Sequence, residues 1–334
     1  MTIISFESEY RMNRSLPIIC PKCLSRHVET ALDENLACAC CSSSFPVVDG
    51  FPILLEDDKI RADLASGTAL DAPRIAFYQN EEGYLPVSDP QPLLPSALAS
   101  SASDGPVLEI GSGRGAFRDI APDYVALDLS LSALRRNLAG DAGLCATADM
   151  IPLASASCRF VFSVQTLEHI PSADRALEEI DRVLAPGGVA YLAPAWHCRS
   201  WIVDGIPVRP YRDLTWKQRL VKVSLPIRDS VVFRAASSIP WRMWRRLTQP
   251  APGPLKFTSL QANYEHFWMS DSDACASIDS HEAILFFERR GYEILNPRGG
   301  VVSRLVFRAG PIIVRKMPST QSQGIRSTNQ QPHC

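Results

Sequence analysis

The stretch Val107–Phe117 reads V-L-E-I-G-S-G-R-G-A-F, and no other part of the chain constrains the fold as much. An apolar run broken by three closely spaced glycines predicts a buried strand entering a tight turn. Gly111, Gly113 and Gly115 allow positive φ and leave no Cβ in the path of a ligand. A dinucleotide fingerprint runs G-x-G-x-x-G. Here the spacing is G-x-G-x-G, with Glu109 two residues before the first glycine. The same turn also serves as an ordinary strand-to-helix connection, so the flanking sequence has to decide.

Downstream, Tyr124–Leu127 is a second apolar run, ending at Asp128, which lies 17 residues past Gly111 (128 − 111). An acid follows a nucleotide-binding glycine loop at about this distance, because a carboxylate at a strand end accepts both ribose hydroxyl protons. The alternative is an Asp that caps the next helix, expected over Ser130–Leu138. Ala148-Asp149-Met150-Ile-Pro-Leu153 reads as a turn. Arg159–Val164 is a third strand, followed by Gln165-Thr-Leu-Glu168-His169-Ile-Pro171. Ser172–Leu184 carries apolar residues at helical spacing, Ala185-Pro-Gly-Gly188 stops it, and Val189–Leu192 is a further strand. Strands alternating with helices imply an α/β fold, a Rossmann-like doubly wound parallel sheet with helices on both faces. Ligands in such sheets sit beyond the strands' carboxyl ends. Gly111, Asp128, Asp149 and His169 are all expected at that edge.

The order of these motifs resembles the type 11 group of class I S-adenosylmethionine-dependent methyltransferases. The resemblance implies that Glu109, Gly111, Gly113, Gly115 and Asp128 bind S-adenosylmethionine. It also implies that Asp149 receives the adenine amino group and that the backbone N–H of Met150 meets a ring nitrogen. Leu167-Glu168-His169 matches the family's strand-end motif. Cys158-Arg159 departs from the usual Phe-Asp, which removes whatever contact that Asp makes. An oxygen acceptor needs a general base more than an amine does. His169 is the first candidate, because it is expected at the cofactor edge and imidazole titrates near neutrality. Its other role would be to hold the following loop. His266 is the second candidate.

Cys20-x2-Cys23 and Cys38-x2-Cys41, separated by fourteen residues, form a pair of metal knuckles. Four such thiolates suit one tetrahedral Zn²⁺, and four sulfurs leave no open position, so the role is structural. Cys40 is a spare for Cys41, and His27 is a weaker substitute. Four unrelated buried thiols are the alternative. The stretch Phe45–Leu55 resembles the end of the small zinc-ribbon activators that partner transfer-RNA and protein methyltransferases. That resemblance covers Leu16–Glu56 and implies an accessory ribbon.

The net charge of −2 provides no overall basic field, so nucleic acid is not expected as a partner. No apolar run approaches the 18 or so residues of a membrane span. Met1–Arg14 lacks the apolar core of a signal peptide. A cytoplasmic chain is expected, with its cysteines as thiols or metal ligands.

The expected organisation is a ribbon over 16–57, a linker over 58–104, a methyltransferase domain over 105–316 and a disordered tail over 317–334. Tyr78 and Tyr84 in the linker are candidates to close a ligand site, with surface packing as the alternative. An insertion at 197–279 is foreign to a minimal methyltransferase. Between His197 and Pro250 it holds eleven Lys and Arg against three Asp, and five of the six tryptophans lie between Trp196 and Trp244. Leu214–Leu225 and Ser230–Leu247 read as basic amphipathic helices interrupted by Pro226 and Pro240. Such faces suit a membrane surface or an anionic substrate, or else a single strand stacked on aromatics. A lid with a solvated charged face is the bland alternative. The preferred reading is a substrate cap for a small, phosphate-bearing acceptor, with peripheral membrane contact through 197–250. Asp279 caps a helix over Ala283–Arg290. Gly291–Leu295 and Val301–Phe307 are expected to close the sheet as antiparallel strands.

Three functions fit this sequence. The first is methyl transfer to a small molecule such as a sugar or glycan precursor. The second is methylation of ribosomal or transfer RNA, since a zinc ribbon is also fused to this fold in enzymes that modify ribosomal RNA guanine. The third is a non-catalytic adaptor that binds the cofactor.

Overall fold

The computed structural model describes residues 16–30, 35–80, 91–101, 105–137, 142–248 and 251–318. Its central sheet has seven strands. These are β1 (Val107–Ile110), β2 (Tyr124–Asp128), β3 (Ala142–Cys145), β4 (Cys158–Val164), β5 (Leu184–Ala193), β6 (Glu293–Asn296) and β7 (Ile312–Arg315). The strand order is β3-β2-β1-β4-β5-β7-β6. β2 with β3, β1 with β4 and β4 with β5 are parallel, whereas β7 runs antiparallel to both β5 and β6. β1 and β2 are buried at every residue, as continuous apolar runs require when a parallel strand is covered on both faces. The fold is therefore the α/β doubly wound sheet expected from the alternating pattern, with an antiparallel edge.

Two compact units make up the chain. The first comprises Met1–Pro86, Ser112–Thr147 and Pro152–Ala154. In it, three short antiparallel strands, Val28–Thr30, Leu36–Cys38 and Ser44–Phe45, form the ribbon. The segments flanking the ribbon bind the β3 edge. Ile53 bridges Cys145 in parallel, and Leu54 N–H donates to Cys145 O at 2.8 Å. Ile18 bridges Leu153, with Ile19 N–H to Pro152 O at 3.0 Å. Exposed strand edges invite pairing with other chains, and here ribbon backbone occupies part of one. Arg61, on the helix Asp58–Ser66, is buried beneath this turn. Its guanidinium donates to Leu55 O and Glu56 O and lies 4.7 Å from the Phe45 ring centroid. The helix Pro73–Gln79 reaches the loop after β2, where Gln79 Nε2 donates to Leu129 O at 3.0 Å. Tyr78 is half-buried, edge-on to Phe77. Tyr84, Met1–Arg14 and residues 319–334 lie outside the described residues. After the glycine loop comes a single 3-10 turn, Arg118–Ile120, and Leu131–Asn137 forms as α1 within the stretch where a helix is expected.

The second unit holds β1, β4–β7 and the insertion. α2 (Ala173–Val183) buries Ala173, Ala176, Leu177, Ile180 and Val183, the face its spacing predicts. The insertion contributes α3 (Trp216–Arg228) and α4 (Val231–Thr248). Pro226 and Pro240 sit inside these helices and do not interrupt them, contrary to expectation. Both lie on exposed turns, where a carbonyl that loses its N–H partner still meets solvent. α5 (Ser280–Glu288) follows, capped by Asp279, whose side chain accepts from His281 N–H. Val301–Phe307 is not a strand. Val301–Val306 forms helix α6, tied to α5 by an Arg304–Glu288 ion pair. The closing strand is instead Ile312–Arg315. The β-branched valines pointed to a strand, but the position between β5 and β6 is filled by Ile312–Arg315, whose first three residues are fully covered there.

Two arginines of α4 turn inward. Arg242 is fully buried, donating to Asp279, Leu305 O and Phe307 O. Arg245 makes two bonds to Glu282, at 2.7 and 2.8 Å, with both side chains buried. Removing one partner of such a pair strands a buried charge. Glu282→Ala is therefore expected to cost about 3–5 kcal/mol in chemical denaturation, whereas Glu282→Met combined with Arg245→Met recovers most of the loss.

Candidate active site

In the first unit, the glycine loop and the end of β2 are joined by one carboxylate. Asp128 is buried, its Oδ2 accepts Gly113 N–H at 2.7 Å and its Oδ1 accepts Ser130 N–H at 2.8 Å. Ser112 N–H also donates to Leu127 O at 3.2 Å, and Gly115 N–H to Ser112 O at 2.9 Å. Gly113 and Gly115 have φ of 50° and 72°, the left-handed region that favours glycine. These two backbone bonds orient the Asp128 carboxylate. The expected capping role and the expected ligand role are compatible in this one residue.

In the second unit, Glu109 is buried in β1. Gly111 has φ 73°, and a Cβ there would fall 2.2 Å from Thr166 Oγ1. No larger residue fits. Asp149 and Met150 lie half-buried on a turn. α2 clamps that turn: Ile151 N–H donates to Glu179 Oε2 at 2.8 Å, and Arg182 reaches Ile151 O at 2.6 Å while pairing with Glu179. Sequence reading did not anticipate the clamp, although Glu179 and Arg182 share one helix face at i,i+3.

His169 follows β4 on a 3-10 turn, Leu167–His169, and is surrounded by carboxylates. Its Nδ1 is 3.1 Å from Asp273 Oδ2, and its Nε2 is 3.9 Å from Glu168 Oε1. Glu168, His169 and Asp271 bring side-chain atoms within 4.8 Å of one another. Glu168 is fully buried, its Oε1 accepts Ala195 N–H at 2.8 Å and its carbonyl accepts Cys275 N–H. Burial raises the carboxyl pKa values of Glu168 and Asp271. Burial also opposes the charged imidazole, but Asp273, Glu168 and Asp271 outweigh it and raise His169 to about 9. Asp271 and Asp273 arrive from the end of the insertion, roughly a hundred residues after His169, so no local pattern announced them. The other candidate, His266, is exposed and stacks on Trp268 with ring centroids 5.5 Å apart.

The four ribbon cysteines converge as expected. Sγ atoms of Cys20, Cys23, Cys38 and Cys41 lie within 4.8 Å of one another, with Cys20–Cys41 at 3.6 Å and Cys23–Cys38 at 3.5 Å. A tetrahedron of Zn–S bonds of about 2.3 Å has edges of about 3.8 Å, so the donor set fits zinc. Cys41, not Cys40, completes the group. Burial pushes the Cys20 thiol up to about 12, whereas the Ser43 hydroxyl draws Cys41 down to about 6.

Residues 108–192 match the family model described as a methyltransferase domain, type 11. This segment is a methyltransferase domain. A curated relative, malonyl-[acyl-carrier protein] O-methyltransferase of Enterobacter lignolyticus (strain SCF1), is 39% identical over 90 residues, 25% of this chain and 36% of that protein. The chain thus spans little more than a third of that relative. Among solved structures, an S-adenosyl-L-methionine-dependent methyltransferase so described from Methanococcus maripaludis aligns over 75% of this chain and 95% of its own, at 14% identity and TM-score 0.37. The complex of the Haloferax volcanii Trm112 methyltransferase activator with its methyltransferase aligns over 32% of this chain and 53% of its own, at 25% identity and TM-score 0.27. The match of the methyltransferase domain covers the glycine loop, Asp128, Asp149 and His169.

Two outcomes test this chemistry. The His169 ring, followed by NMR, should titrate near 9, and Asp273→Asn should move the inflection downward, because it removes a charge that favours the imidazolium. Protein purified without chelator should contain about one zinc per chain, and stripping it, or Cys23→Ser, should lower the melting temperature. A metal-free protein of unchanged stability would remove the zinc assignment.

Proposed function

We propose that the chain is an S-adenosylmethionine-dependent methyltransferase acting on a small-molecule acceptor, a sugar or glycan precursor with a phosphate group. The observation that carries the first part is the match of 108–192 to the methyltransferase domain, together with a glycine loop whose Gly113 N–H is held by the Asp128 carboxylate. In this reading Glu109, Gly111, Gly113, Gly115 and Asp128 hold the amino-acid and ribose parts of S-adenosylmethionine, and Asp149 and Met150 hold its adenine. When bound, the sulfonium supplies an electrophilic methyl group for in-line displacement.

The protein's own contribution is positioning and proton handling. Holding acceptor and methyl in line is worth effective molarities of about 10⁵–10⁸ M, and a general base adds about 10²–10⁴. His169 is the proposed base. Its carboxylate neighbours keep it protonated at neutral pH, so it accepts a proton only as the pH rises through about 9. The Glu168, Asp271 and Asp273 carboxylates then stabilise the imidazolium that forms. His266 is the weaker candidate. The phosphate preference rests on the unneutralised Lys and Arg of the insertion, and the sugar assignment rests on the type 11 resemblance.

Calorimetry with S-adenosylmethionine should show binding and thermal protection. Gly111→Ala places a Cβ 2.2 Å from Thr166 Oγ1 at positive φ, so the loop has to shift, and both melting temperature and cofactor affinity should fall. Absence of both heat and protection in the unaltered chain would remove the cofactor. Transfer of labelled methyl into fractionated extract should label small molecules, with a rate that climbs toward pH 9. Label in RNA would replace the acceptor class with nucleic acid.

A further inference from the structure

Helix α4 is inverted relative to an ordinary surface helix. Its buried side chains are Arg242 and Arg245, whereas Trp241, Met243, Trp244 and Leu247 face outward, Leu247 being 84% exposed. Helix α3 buries no side chain at all. Its apolar residues Trp216, Leu220, Val223 and Ile227 are each more than 60% exposed. At 100° per residue these four fall within an arc of about 60°. A single exposed Leu needs no explanation, but an aligned stripe continued on a second helix does.

The cations around this stripe are equally uncompensated. Lys217 and Arg228 lie on one flank of the α3 stripe and Arg219, whose Nε donates to Tyr211 O and Leu214 O, on the other, while half-buried Lys222 turns back to Arg209 O. Among the described residues none of the four meets a carboxylate within salt-bridge distance. Neither α3 nor α4 contains an Asp or Glu. Buried Arg242 and Arg245 take their carboxylates from Asp279 and Glu282 of the α5 region. The acids thus lie inside, and the outer face is left apolar with a positive border.

We propose that α3 and the outer face of α4 form a docking surface for an anionic lipid bilayer, with the helices lying in the plane of the interface. Tryptophan belongs at such an interface, apolar side chains enter the acyl boundary, and Lys and Arg reach outward to phosphate headgroups. A second copy of the chain fits less well. Self-association through this face brings two net-cationic surfaces together, and the acid at their α3–α4 junction, Asp229, is already paired with Arg234. Among the described residues no helix is long and apolar enough to cross a membrane, so the contact is peripheral. It does not depend on methyl transfer, because no cofactor or acceptor takes part.

The test is sedimentation of the full chain with vesicles, without cofactor. Vesicles of equal parts phosphatidylcholine and phosphatidylglycerol should bind it, phosphatidylcholine alone should bind it poorly, and added salt should release it. Two double variants probe the two components: Leu220→Asp with Ile227→Asp, and Lys217→Glu with Arg228→Glu. All four positions are exposed, so melting temperatures should not change, while binding should fall about tenfold or more for each variant. Unchanged binding by either folded variant, or no preference for the anionic vesicles, overturns the proposal. So does a dimer, detected by light scattering, that the Leu220→Asp, Ile227→Asp variant dissociates, because a second copy is then the occupant.

Discussion

The carboxylate of Asp128 is the point on which the nucleotide-loop geometry depends. Three glycines provide freedom, and freedom alone does not make a site. Asp128 converts it into shape by accepting Gly113 N–H and Ser130 N–H with its two oxygens, so one buried charge holds the loop before it in sequence and the helix after it. Hydrogen bonds to an ionised acceptor are stronger than neutral ones, and burial strengthens them further. The cost of burying the charge is met by backbone dipoles that need a partner there in any case.

The ribbon contributes in a different way. Its flanks bond to β3 through Cys145 and to the segment Pro152–Ala154, and Arg61 fixes the turn between ribbon and sheet. The cysteine knuckles therefore belong to a segment that braces a sheet edge rather than hanging from a tether.

The insertion's tail delivers Asp271 and Asp273 to His169, while its helices present apolar side chains outward. A segment that both shapes an acceptor site and faces a bilayer would suit an acceptor carried at that surface. The inward arginines make this arrangement possible, because Asp279 and Glu282 hold α4 in place through charge rather than through an apolar stripe.

Much of this was legible in the residues alone. The strands β1, β2, β4 and β5, the glycine turn, Asp128 and the four-cysteine group are all written in short-range order, as period, spacing and residue type. Where neighbours far along the chain decide the outcome, local pattern misled. Val301–Val306 is a helix, and Ile312–Arg315 takes the strand position between β5 and β6 instead. Pro226 and Pro240 stayed within helices because the broken backbone bonds face outward. Arg242 and Arg245 left the basic face for Asp279 and Glu282. The cluster around His169 was invisible for the same reason, since Asp271 and Asp273 reach it only through the folded insertion. Residue order was enough for β1, β2, β4 and β5, the loop and the cysteine knuckles, whose signals lie within a few positions of one another. Which charges are paired and which apolar face is left uncovered emerged only on folding, because both depend on what packs alongside.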